Sequence, residues 1–162
     1  MESLIRVRRD LLGIAAKLSW LPPALTRLTI GVIFLGTGWG KLHNLQKVTE
    51  FFAQLHIPAP GFNAALVATT ELVCGGLILL GLIARLAAIP LIITMCVAIA
   101  TAKGSDIEGL RDLLGLQEFN YIVLLVWIAV VGAGALSLDR LFSRRLERLP
   151  SSAAAASAGH RA

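Results

Sequence analysis

The sequence predicts an all-α integral membrane protein: a four-helix bundle with an N-terminal amphipathic interfacial helix and short extracytoplasmic interfacial helices. Three observations lead there. Of its 162 residues, 56% are hydrophobic and only 15% charged, where a soluble domain averages about 25% charged, and the mean hydropathy is +0.76. The apolar residues gather into four long runs, each near the ~17–25 residues that cross a bilayer core. Between the runs lie polar connections, and inside the second run stands one acid, Glu71. The length leaves room for one bundle and no separate soluble domain.

Residues 1–20 form the first segment. Leu4, Val7, Leu11, Ile14 and Leu18 recur at helical spacing, with Arg6, Arg9, Asp10 and Lys17 on the other side, the pattern of a helix lying on a membrane surface. Its arginines suit an anionic cytoplasmic leaflet; packing against the cytoplasmic end of the bundle would explain the pattern equally well. Trp20 and Pro22-Pro23 mark the turn into the bilayer.

The bundle itself is expected over residues 21–142. Its first span, 24–40, carries Gly31 and a Gly36-x-x-x-Gly40 pair with Gly38 between, small residues that let another backbone approach. In the connection that follows, Leu45, Val48, Phe52 and Leu55 suggest a short interfacial helix, stopped by Ile57-Pro58-Ala59-Pro60-Gly61. His43 and His56 flank it and read as interfacial, since no further metal ligands stand at suitable spacing.

The second span, 62–82, and the third, 86–102, are joined at Ile83-Ala84-Arg85, an antiparallel hairpin with its tip near Arg85. Measured from that tip, Cys74 and Cys96 are level. Lys103 falls about one turn from the level of Glu71, and Lys41 ends the first span on the same side of the membrane. Either lysine is the expected counter-charge. Residues 103–119 suggest a second interfacial helix, and 120–138 the fourth span. Residues 143–162 are basic, then Ala- and Ser-rich, and are expected to form a disordered cytoplasmic tail.

Several function classes drop out. The pI of 9.9 and net charge of +5 do not indicate nucleic-acid binding, because the basic residues flank apolar spans. Two cysteines inside apolar runs make neither a disulfide framework nor a CxxC motif. The first apolar run starts late and ends in Trp39-Gly40-Lys41 without an Ala-x-Ala-like site, so a retained helix is expected and not a cleaved signal. Lys and Arg concentrate before or at the start of the first span, Arg27 included, at Arg85 and after the last span, which puts both termini on the cytoplasmic side of a bacterial inner membrane.

Gly38-Trp39-Gly40-Lys41-Leu42, Glu71 with Gly75-Gly76 and Leu79-x-Gly81, Arg85-Leu86-Ala87-Ala88, and Ser137-Leu138-Asp139 together resemble the DoxX family of small four-span membrane proteins. The likeness covers about residues 24–142. Some relatives in that family look like the membrane subunit of thiosulfate:quinone oxidoreductase, others like assembly factors or cargo adaptors. The resemblance singles out Lys41, Glu71 and Arg85 without giving any of them a reaction.

An ionisable group at mid-span costs roughly 2.5–3.5 kcal/mol on insertion scales and usually faces a partner or a cavity. Glu71 and Lys41 are therefore the candidate catalytic pair, and Trp39, Lys103 and Arg85 the candidate cofactor contacts. On the first reading the chain is the quinone-facing subunit of a redox complex, with sulfur compounds one substrate class. Glu71 would relay a proton or contact the quinone. The sequence encodes no haem, flavin or iron–sulfur motif, so electrons would come from a partner protein unless Cys74 and Cys96 acted as a dithiol. On the second reading the chain is a membrane scaffold, assembly factor or chaperone, and the Glu71–lysine contact locks three helices together. A small-solute permease is less favoured, since no inverted repeat is evident. The lipid bilayer is a partner on every reading, and homo-oligomerisation stays open.

Overall fold

The computed structural model describes residues 1–104, 107–132 and 134, and among these every regular element is helical. Helix α1 (Glu2–Leu18) occupies the amphipathic segment and ends where the Ser19 hydroxyl donates to Ala16 O at 2.8 Å. Helix α2 (Leu21–His43) opens with Pro22 and Pro23 in its first turn, where a missing N–H costs nothing, and outruns the expected span at both ends. Asn44 turns the chain by donating from Nδ2 to Gly40 O at 3.0 Å.

Helix α3 (Leu45–Gln54) follows at once. Its exit is a Schellman turn: Ile57 N–H donates to Phe52 O and His56 N–H to Ala53 O, both at 3.0 Å, with His56 left-handed at φ 55°. Helix α4 (Pro60–Leu80) takes Pro60 into its first turn and ends in a second Schellman turn, where Gly81 has φ 69° and Leu82 N–H donates to Leu77 O at 2.9 Å.

Helix α5 (Ala84–Ala98) begins three residues later and continues as a π-helical turn, Ile99–Lys103. The hairpin therefore turns over Gly81–Ile83, centred on Leu82 and not on Arg85. The cause is local: glycine accepts the left-handed C-terminal position, while Arg85 is free to enter the next helix. The expected second interfacial helix is reduced to α6 (Leu110–Gly115). Helix α7 (Gln117–Val131) starts before the expected fourth span and stops seven residues short of it, at Gly132 with φ 87°. Most of the span's remaining residues, and the expected tail, lie outside the described residues.

Among the described residues, three segments are long and apolar enough to cross a membrane: α2 with the end of α1, α4, and α5 with its π turn. The apolar α7 has 15 residues, about 22 Å at 1.5 Å per residue. Helix α2 packs most extensively on α4; α4 also meets α3 and α5, α5 meets α7, and α7 returns to α2. Ile30, Phe34, Cys74, Ile78, Ala84, Ala87, Ala88, Leu91, Met95, Leu125 and Ile128 fill the centre. Large aliphatic residues point outward instead, among them Leu25, Val32, Leu66, Val73, Ile89, Ile93, Val126 and Val130. Many bulky apolar side chains on the outer surface, around an already packed apolar centre, describe a protein whose surroundings are lipid.

Candidate functional site

The α2–α4 interface sets the geometry of the site. Ala24, Arg27, Gly31, Phe34 and Gly38 are buried on α2, and Ala64, Ala68, Glu71, Gly75 and Ile78 on α4. Both sets step by three and four, the spacing of a knobs-into-holes seam. Glycines bring the backbones together. A Cβ on Gly38 would lie 2.8 Å from Leu72 Cα and 2.9 Å from Ala68 O; one on Gly75, 2.6 Å from Leu35 N; one on Gly31, 2.8 Å from Leu79 Cα. Gly36 and Gly40 meet nothing within 4 Å. The GxxxG pair is thus not the seam: two residues, or about 200° of helix rotation, carry it to the far side of α2 from Gly38.

These contacts fix an antiparallel register in which Gly38 faces Leu72. Lys41, one turn beyond Gly38, follows on the same stripe, and Glu71 is the neighbour of Leu72. Side chains tilt toward the N-terminus of their own helix, so in an antiparallel pair these two lean toward each other. Lys41 Nζ donates to Glu71 Oε1 at 2.6 Å. The pair is lopsided in exposure: the Glu71 side chain is 1% exposed and that of Lys41 is 32%. Oε2 of Glu71 is buried and accepts no hydrogen bond from the described residues. An ion pair with one charge inside the seam and the other at its rim offers an acceptor oxygen indoors and spare N–H donors at the edge.

The other expected site residues are not gathered there. Trp39 is 59% exposed, about 200° around α2 from Lys41, with its ring 4.3 Å from that of His43. Lys103 closes the π turn and makes no ion pair among the described residues. With the hairpin centred on Leu82, Lys103 lies ten residues, or about 15 Å, past the level of Glu71, which is why Lys41 supplies the counter-charge. Arg85 sits at the opposite end of α4. Its Nη2 donates to Val131 O at 3.2 Å, and a Cβ on Gly132 would lie 2.9 Å from its Nε. It thereby caps the C-terminus of α7, where exposed carbonyls and the helix dipole favour a cation.

The same shift of the hairpin separates the thiols. Cys74 is eight residues before Leu82 and Cys96 fourteen after it, about 9 Å apart in depth. Both are free, Cys74 buried and Cys96 exposed, so the level depth that motivated a dithiol is gone. His43 and His56 join no group of three or more potential metal ligands among the described residues.

Arg27 is the residue that sequence reasoning misplaced. It reads as a topology charge near the start of a span, yet it is only 9% exposed, on the seam between Ala24 and Gly31. Its three- and four-residue spacing from those two was the available signal.

The DoxX family profile matches residues 23–104, from the start of α2 through the π turn. The chain belongs to the DoxX family. Both members of the ion pair lie within the matched region. This DoxX protein is 34% identical over 137 residues to the uncharacterized membrane protein Rv3486 of Mycobacterium tuberculosis, covering 76% of this chain and 84% of that one. It is 31% identical over 117 residues to CatD of Bacillus subtilis, which carries the provisional name of an oxidoreductase, covering 71% and 82%. It is 26% identical over 122 residues to the inner membrane protein YqjF of Escherichia coli, covering 74% and 90%. No solved structure matches it.

Proposed function

We propose that this DoxX protein is the membrane subunit of a quinone-linked oxidoreductase complex, with the Lys41–Glu71 pair as its quinone contact. One observation carries the reading: a carboxylate inside an apolar seam, held through one oxygen by a lysine and, among the described residues, unpartnered at the other. The provisional oxidoreductase name of the Bacillus relative agrees with it.

The pair fits a quinone's polar groups. Lys41 offers N–H donors to a quinone carbonyl oxygen, and Glu71 Oε2 can accept from a hydroxyl of the reduced quinol. A bound quinone would supply two-electron carrier chemistry in the membrane. The chain's own residues would orient the head group, exclude bulk water through the tight α2–α4 seam, and take up a proton at Glu71 Oε2. The electron donor is a partner protein.

On this reading α2, α4, α5 and α7 form a four-helix membrane bundle, supported by the closed circuit of contacts among them. Helices α1 and α3 lie at the two membrane surfaces, α1 cytoplasmic and α3 extracytoplasmic. The bacterial inner membrane is supported by the naming of the Escherichia coli relative.

The test is organic extraction of the purified protein. Quinone in near-stoichiometric amount is expected; its absence, with a soluble protein co-purifying, would give the scaffold reading the advantage. That second reading has its own support, since the ion pair crosses the largest helix interface. It joins two helices, α2 and α4, and not the three expected from the sequence.

A further inference from the structure

The charge on Glu71 sets which form of the ligand the site takes. We infer that the site discriminates by redox state, binding the hydroxyl-bearing quinol in preference to the quinone; this rests on the quinone reading above. The 2.6 Å contact with the Lys41 ammonium makes Glu71 the anionic half of an ion pair. An ionised carboxylate is acceptor-only. Oε2, buried and without a donor among the described residues, is satisfied by an incoming O–H and by nothing that lacks a hydrogen to give.

A quinone and its quinol differ in that respect. The quinone's two oxygens only accept, so it can bond the spare N–H groups of Lys41 but leaves Oε2 unpaired. The quinol keeps the Lys41 contact through a hydroxyl lone pair and adds an O–H···O⁻ bond to Oε2. Leaving a buried charged acceptor unsatisfied carries a full desolvation penalty, whereas pairing it gains a charge-assisted hydrogen bond. The difference is one such bond, worth tenfold or more in affinity. Trp39, exposed and about 200° around α2 from Lys41, takes no part in it.

The test uses the full chain in lipid nanodiscs, with a short-tailed benzoquinol and the matching benzoquinone as probes under anaerobic conditions. Equilibrium binding is expected to favour the quinol at least tenfold. Glu71→Gln, whose amide both donates and accepts, should erase the preference, chiefly by improving quinone binding. Cys96→Ser, at an exposed position on α5, should keep it. Should Glu71→Gln fail to fold, infrared difference spectra of the unaltered protein decide the matter. The carboxylate stretch should shift on adding quinol and stay put on adding quinone. Equal affinity, a preference for quinone, or a protonated-carboxyl band before any addition would overturn this inference and leave the quinone reading standing. Those results would mean that an internal water or a proton already satisfies Oε2. Binding of neither probe would overturn the quinone reading and this inference together.

Discussion

At the scale of single residues, the ion pair is asymmetric in a way that mutations should expose. Removing Lys41 strands an anion that is 1% exposed, whereas removing Glu71 leaves an ammonium already one-third exposed and able to find water. Lys41→Met is therefore expected to destabilise the protein by about 3 kcal/mol, the usual toll for a buried charge without its partner. Glu71→Gln should cost clearly less. Thermal melts of both variants in detergent check the order, and Lys41→Met combined with Glu71→Leu should recover most of the loss. Glu71 was legible in the sequence because an acid in an apolar run has no inexpensive explanation. Its partner was narrowed to two lysines, and choosing between them required the true position of the hairpin. Arg27 was not legible as a buried group, since a cation a few residues into a span also fits the ordinary role of a topology signal.

At the scale of helices, the contrast among glycines makes a sharp comparison. Gly38→Ala would drive a methyl group into Leu72 and Ala68 backbone atoms and is expected to cost about 1–3 kcal/mol by overpacking, loosening the Lys41–Glu71 contact one turn away. Gly36→Ala and Gly40→Ala meet open space and should be neutral, or stabilising by up to ~1 kcal/mol through helix propensity. Melting temperatures of the three variants test this. Sequence reasoning found the right helix for the seam but included the wrong pair of glycines, because a four-residue spacing does not say which side of the cylinder faces a neighbour. Arg85 gives a second test at this scale. Arg85→Ala should accelerate amide exchange in the last turn of α7, around Ile128 to Val131, with Arg85→Lys intermediate, since an ammonium keeps the charge but loses the planar fork. Unchanged exchange in Arg85→Ala would show that the cap at Val131 adds no protection.

For the molecule as a whole, the distribution of Lys and Arg predicts cytoplasmic termini. A tag at the C-terminus should resist protease added to intact cells and be cut once the membrane is opened. The helical, membrane-embedded character was readable from composition and run length alone, and the helices α2, α4 and α5 fall within a few residues of their expected bounds. Less was readable near the fourth span, because hydropathy continues past Val131 while Gly132 ends the helix by conformation, a feature that a hydropathy average cannot carry. The glycine seam also limits how such a molecule can change shape. Sliding α2 along α4 by one turn would force side chains into backbone wherever Gly31, Gly38 and Gly75 now sit, so this half behaves as a stator. Any change of shape has to be borne by the opposite half, where Pro90 inside α5 and the π-helical turn already interrupt regular α-helical bonding.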